Sequence, residues 1–349
     1  MFLSQNEIET LLEAVEVAPP GSPLRRAQDA LQRALRRLDE VQNQRLELVQ
    51  AVYQSAYDAI SGLHYDPVPT PAIKEGIGTP ETAIAVLADW QLGKITPTYN
   101  SSVTRERMDQ YAAGLERIVQ IQRTDHPVKH LRVFLLGDLV EGELIFPGQA
   151  HRIDASLFRQ VMLDGPGILG TFLRRMLQTF DTVHVVGVIG NHGRIGGPFA
   201  RESHPETNAD AMMYECTRIT LAGEKRLTWA PNLTAGERHW YAIDEVEGKR
   251  FFLFHGDQIR GGHAGYPFYG FGKALSAWRI KFGFDYSLSG HFHTSMNMDF
   301  PGGVHWGAGT LESDNTYALE ELKAWGTPSQ LLLFVHPKRG VSAQYTVRV

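Results

Sequence analysis

Five short segments of this chain bring together residue types that can hold divalent metal ions. They are Ala88-Asp89-Trp90-Gln91, Gly137-Asp138-Leu139-Val140-Glu141, Gly190-Asn191-His192-Gly193, His255-Gly256-Asp257 and Gly290-His291-Phe292-His293. Carboxylate and amide oxygens mixed with imidazole nitrogens, with no thiolate, suit Mn²⁺, Fe²⁺ or Zn²⁺ at a hydrolytic centre. Singly, each segment is weak. Gly-Asp after a strand is usually a turn, and Asn-His in a loop is usually surface decoration. Gly-His-x-His is stronger, because alternate residues of an extended segment point the same way. All five occur in order, each after a run that reads as a strand, and that conjunction points to one site.

The runs Ile84–Ala88, Leu131–Leu136 and Val183–Ile189 read as fully buried strands. Amphipathic stretches at about 104–122 and 156–180 lie between them. This alternation predicts an α/β sheet with helices on its faces. From Leu227 onward the strands come closer together: Trp240–Ile243, Arg250–Phe254, Tyr286–Ser289, Met296–Phe300, Leu331–Val335 and Gln344–Arg348. One helix, about Lys273–Phe282, interrupts them. Ligands of an open α/β sheet collect beyond the carboxyl ends of its strands, so the five clusters are expected to converge in one crevice.

Ahead of the sheet, residues 24–60 contain no Gly. Apolar residues recur at Leu24, Ala27, Leu31, Ala34, Leu38, Val41, Leu48 and Val52, a heptad seam interrupted where Arg45 takes a core position. The pattern predicts a helical, coiled-coil arm over 1–66. A continuous helix over 24–60 would be about 55 Å long at ~1.5 Å per residue, which favours pairing with a second copy, as a homo-oligomer, over folding back on its own domain. The Pro-rich stretch 64–72 reads as extended, so 67–82 is expected to be a linker that detaches the arm from a catalytic domain at 83–349.

Composition narrows the classes. With 43% hydrophobic and 21% charged residues the chain is not of the disordered type. The lone Cys216 excludes an intramolecular disulfide and a Cys-rich zinc site; it suits a reducing compartment, so a cytoplasmic location is expected. The first residues lack the basic segment and cleavage site of a signal peptide. No apolar run approaches the ~18 residues of a membrane helix, and no membrane partner is expected. A net charge of -5 argues against a broadly basic nucleic-acid coat and leaves room for a local basic groove.

Asp89-x-Gln91, Gly137-Asp138-x-x-Glu141, Gly190-Asn191-His192, His255 and Gly290-His291-x-His293 resemble, as a set, the five motifs of the calcineurin-like metallophosphoesterases. The resemblance covers about Ala83 to Trp306. It implies a four-layer αββα sandwich holding two divalent metal ions. Asp89, Gln91, Asp138 and His293 would hold one, and Asp138, Asn191, His255 and His291 the other. Asp138 would bridge them, and His192 would act as an acid beside them. Two departures stand out. The family usually has His where this chain has Gln91, and an acidic residue where it has Gly193. An amide oxygen is a harder, weaker ligand than imidazole, which tilts the first site toward Mn²⁺, with Fe²⁺, Zn²⁺ or Mg²⁺ as alternatives. Gln91 could equally miss the ion and hydrogen-bond a bound water. Losing an acid at Gly193 removes one candidate to orient His192.

Two such ions can lower the pKa of a bridging water and clamp phosphoryl oxygens, so hydroxide would be the nucleophile and no Ser or Cys is needed. His192 could protonate the leaving oxygen. The implied reaction is phosphoester hydrolysis. The loop Glu141–Gln149 is similar to the loop after the same motif in the exonuclease small subunit of D-family DNA polymerases, and to phage-encoded phosphoesterases described as nucleases. Between Arg260 and Lys281, Tyr266, Phe268, Tyr269, Phe271 and Trp278 interleave with Lys273, Arg279 and Lys281, a composition that suits stacking on unpaired bases while charge tracks the backbone. Helical spacing makes Phe271, Trp278 and Phe282 equally good core residues. Tyr266 and Tyr269, beside glycines, and Arg152, Arg194 and Arg201, near the motifs, are candidates to bind substrate. The leading expectation is therefore a DNA nuclease acting on single strands or ends. The competing expectations are a phosphodiesterase or phosphatase on a small nucleotide, and a catalytically weak scaffold subunit.

Overall fold

The computed structural model describes residues 65–349, apart from 74–75, 197–203, 231–239, 260–267 and 316–325, together with scattered positions between 25 and 58. The chain divides into two compact units, Met1–Ser55 and Ala56–Val349. In the first, the described positions from Arg25 to Gln54 are helical and, Arg25 aside, exposed. The apolar seam lies outside the described residues.

In the second unit the apolar runs form strands. β1 (Glu81–Leu87) is buried at every position, as a strand covered on both faces must be. It sits between β10 (Ser329–His336), antiparallel, and β2 (Val128–Leu135), parallel. β3 (Thr182–Gly187), β4 (Leu227–Trp229) and β11 (Gly340–Arg348) complete a six-stranded mixed sheet, ordered β11-β10-β1-β2-β3-β4. A second sheet is ordered β5-β6-β7-β9-β8, from β5 (Tyr241–Val246), β6 (Lys249–Phe254), β7 (Tyr286–Ser289), β8 (Met296–Phe300) and β9 (Gly303–Gly307).

One apolar cluster joins the sheets: Ile84, Val86, Phe134 and Leu333 from the first meet Phe251, Leu253, Leu288 and Trp306 from the second. The alternate residues Phe252 and Phe254 turn the other way, onto Phe271 and Leu275 of the helix Phe268–Phe282. On the first sheet's other side lies α1 (Ser101–Gln122), capped by Asn100, whose side chain accepts from Ser102 and Val103 N–H. Tyr111 of this helix donates to Leu331 O at 2.8 Å and stacks on Phe172 of α2 (Gly165–Leu177).

The structure departs from the sequence expectations in several places. The helix expected over 156–180 is broken: a turn at Leu157–Arg159 and a π-helical turn at Gln160–Asp164 precede α2. Pro166, in the first turn of α2, offers no N–H to continue the preceding ladder. Helix α3 (Ala209–Thr220), with Asn208 as N-cap, and strand β9 were not foreseen. The stretch 65–73 has no regular secondary structure, as its prolines predict, but it is tied down. Val68 N–H donates to Glu224 at 3.1 Å, and Arg226 donates to Val68 O and Pro69 O. Phe268–Phe282 forms α4.

Candidate metal centre

Parallel strands put their carboxyl ends on one side, and the five clusters follow β1, β2, β3, β6 and β7. Backbone bonds beyond the strands lock the loops together. Asp89 N–H reaches Gly137 O at 3.1 Å, Gln91 N–H reaches Asp138 O at 3.0 Å, and Gly290 N–H reaches His255 O at 2.8 Å. The cost of this convergence is visible in the backbone. Among the described residues seven non-glycine residues have positive φ, and five of them are Asp89, Gln91, Asp138, His291 and His293. Such conformations persist only where the surroundings over-determine them, and they cluster at functional sites.

One half of the centre is a compact donor set. Asp138 and His255 are fully buried. His255 Nε2 lies 2.9 Å from Asp138 Oδ2 and 3.1 Å from Asn191 Oδ1. Its Nδ1 donates to Leu136 O at 2.8 Å, which fixes the ring and turns Nε2 to the other donors as the atom that could hold an ion. The His291 ring is 5.0 Å away. Donor atoms of Asp138, His255 and His291 all lie within 4.8 Å of one another, and the mixed O and N set fits a divalent ion.

Burial works against charge on His255, but Asp138 outweighs it and pushes the imidazole up to about 10. Burial would likewise raise Asp138, yet His255 and His192 hold it well below the usual carboxylate range. Burial, with the His255 charge beside it, pushes His291 well down. A divalent ion taking His255 Nε2 must therefore displace a proton at neutral pH. Affinity should rise about tenfold per pH unit for each proton displaced, up to pH about 10. Calorimetric titration in buffers of different ionisation enthalpy measures that release; a pH-independent affinity would contradict it.

The other half is arranged differently. His293 Nε2 stands 3.5 Å from Asp89 Oδ1, and its Nδ1 lies 2.6 Å from Glu312 Oε1. Burial opposes charge here too, and Glu312 with Asp89 outweighs it, pushing His293 up to about 10. Gln91 is buried with its Oε1 accepting from Lys94 Nζ at 2.7 Å and its Nε2 at 3.2 Å from His293 Nε2. Lys94 Nζ also pairs with Glu312 Oε2 at 2.5 Å.

His192 lies beside the donors. Its N–H donates to Asp138 Oδ1 at 2.7 Å and its Nδ1 sits 3.1 Å from Glu141 Oε2. Burial again opposes charge, and Glu141 with Asp138 outweighs it, raising His192 to about 9. The orienting acid absent at Gly193 is thus supplied by Glu141. Gly193 itself has no room: a Cβ there would meet Asn208 Oδ1 at 2.2 Å.

Several residues that complete the site escaped the sequence reading. Asp210, fully buried, accepts from the N–H groups of Asp138, Leu139 and Gly190 at 2.9–3.0 Å, so one carboxylate braces two ligand loops. Burial and the nearby Asp138 raise it to about 6. Gln149 Nε2 holds Glu141 through O at 2.8 Å and Oε1 at 3.0 Å. Glu312 follows β9, a strand absent from the sequence reading. Its signal was Gly-Thr-Leu-Glu at a strand end, with Thr310 donating to Asp89 O at 2.7 Å.

Of the substrate candidates, Arg194 is paired with Asp257 and Arg152 is exposed. Tyr266 and Arg201 lie outside the described residues, as does the side chain of Tyr269. Phe271 is buried, and Trp278 and Phe282 pack against the same cluster, so these three are core.

No family model and no curated protein matches the chain. Among solved structures it is similar to Vps29 of Entamoeba histolytica complexed with Zn²⁺, at 12% identity and a TM-score of 0.33, covering 76% of this chain and 99% of that one. A novel archaeal phosphodiesterase gives 9% identity and 0.35, with 76% and 99% covered. A predicted phosphoesterase from Streptococcus pneumoniae TIGR4 gives 12% and 0.30, with 76% and 98% covered. At identities and TM-scores this low the likeness carries no argument, and the site is read from its own residues.

Proposed function

We propose that this chain is a divalent-metal-dependent phosphoester hydrolase of the calcineurin-like kind, built as a four-layer αββα sandwich, and that its substrate is DNA, cut at single strands or ends. The observation that carries the hydrolase reading is the convergence of Asp138, Asn191, His255 and His291 at strand ends, with Asp89 and His293 close by and His192 held by Glu141. Bound ions would supply Lewis acidity toward a phosphoryl group and activate water. The chain's own part is to hold the donors on strained, cross-braced loops and to keep a proton on His192 for a leaving oxygen. The sandwich is supported by the apolar cluster shared by the sheets and by α1, α2 and α4 outside them.

The nuclease reading rests on the loop after Glu141. That loop exposes Leu144 and Phe146, which can contact bases, while Gln149 ties its far end back to Glu141. Among the described residues, no helix is long and apolar enough to cross a membrane. The arm over 24–60 is proposed as a contact between copies of the chain. Incubation of an end-labelled single-stranded oligonucleotide with Mn²⁺, beside bis-p-nitrophenyl phosphate, tests the substrate. Degradation of both is expected. Hydrolysis of the small ester alone would favour a small-nucleotide phosphodiesterase, and hydrolysis of neither a scaffold role.

A further inference from the structure

The residues around the two ion sites are not equivalent, and the difference goes beyond the ligand type of Gln91. At Asp138, Asn191, His255 and His291 every polar side chain turns a donor atom inward. Around Asp89 and His293 the expected fourth donor is Gln91, and its amide has a fixed orientation. Lys94 has only N–H groups to offer, so the amide oxygen must face it, at 2.7 Å. That leaves the amide NH₂ at 3.2 Å from His293 Nε2, a contact in which it donates to the neutral ring that an ion would also require, and an N–H cannot ligate a cation.

Lys94 is built into this place. Its N–H closes a four-residue turn onto Gln91 O at 3.0 Å, with Gly93 at φ 103, the positive-φ third position of a type II turn. Its backbone bridges Ile153. Its half-buried Nζ is anchored on Glu312, which also holds His293 Nδ1. One carboxylate thus fixes both the ammonium that turns Gln91 away and the histidine that should receive an ion. A resident positive charge beside a site for a second cation opposes its entry.

We propose that the two sites fill unequally: Asp138, Asn191, His255 and His291 take one ion tightly, and Lys94, by turning the Gln91 amide away and placing its charge there, makes the Asp89–His293 site a weak, late-filling one. The inference rests on the hydrolase reading above and sharpens its metal requirement. A full complement then forms only when Mn²⁺ is abundant or a substrate phosphate draws Lys94 off Gln91.

Titration of the full chain with Mn²⁺ alone, read by calorimetry and by electron paramagnetic resonance, tests it without activity. The expected result is one tight ion per chain, giving an uncoupled Mn²⁺ spectrum at one equivalent. The second ion should bind more weakly, with a coupled signal growing only as it enters. Lys94→Met and, separately, Gln91→His should tighten the second ion by about 10–100-fold, the usual scale for a neighbour that orients a ligand. Lys94→Arg, which keeps the charge, should leave the gap in place. Two equally tight ions in the unaltered chain would overturn the proposal whether or not the variants fold. An unchanged second affinity in both folded Lys94→Met and Gln91→His would overturn it too. If the folded, unaltered chain binds no Mn²⁺ at all, the hydrolase reading itself fails.

Discussion

Asp138→Asn is expected to lower bound divalent ion to background and to cut hydrolysis of bis-p-nitrophenyl phosphate by roughly 10³-fold or more, the scale of losing metal assistance worth several kcal/mol. The two oxygens of Asp138 have different partners, Oδ2 facing His255 Nε2 at 2.9 Å and Oδ1 accepting from His192 N–H at 2.7 Å. Asn keeps the shape and one acceptor, so the His192 contact survives. It loses the charge and one ligating oxygen, and both ion sites would draw on that side chain. The backbone brace from Asp210 to Asp138 N–H does not depend on the substituted group, so the loop stays in place. Metal analysis and a thermal melt on the same sample separate the effects. Retained metal with activity within about tenfold of the parent would show that Asp138 is not a ligand.

How much of this centre was legible follows from where each residue's signal lies. Asp89, Asp138, Asn191, His255, His291 and His293 could be read because each stands just after a run apolar enough to be a buried strand, and parallel strands share an outlet. Glu312 obeys the same rule but follows β9, which begins and ends in glycine and has no long apolar run. The pattern was too short to register. Asp210 was hidden for another reason. Its work is to accept backbone N–H groups from loops some 20 and 70 residues away in sequence, and no local periodicity records a bond of that kind. Even the helix that Asn208 caps, with Asp210 in its first turn, went unread. Lys94 lay in plain view three residues after Gln91, but an exposed turn lysine is the default reading. Only the paired distances to Gln91 and Glu312 show it facing inward. The aromatic run before Lys281 illustrates the converse: spacing alone left Phe271, Trp278 and Phe282 open between base stacking and core, and burial against Phe252 and Phe254 decides for core.

His192→Ala should lower kcat by roughly 10²–10⁴-fold, the usual contribution of a positioned acid, while metal content stays near that of the parent. The separation follows from which atoms do what. The His192 backbone N–H supports Asp138 Oδ1 at 2.7 Å, and alanine keeps it. The imidazole instead turns its Nδ1 to Glu141, leaving the other nitrogen for a substrate oxygen. Glu141 and Asp138 outweigh burial and raise the group to about 9 without bound ions; divalent ions beside it would pull that value down, so activity that needs this proton should fall as pH rises through a value below about 9. Glu141→Gln removes the charge with the larger effect on His192, so the folded-state pKa drops toward the ordinary ~6.5 and the alkaline limb should move to lower pH. A purely structural histidine would leave that limb where it was. Loss of metal in His192→Ala would make the residue a ligand or a brace, and an unshifted limb in Glu141→Gln would remove the acid role from His192.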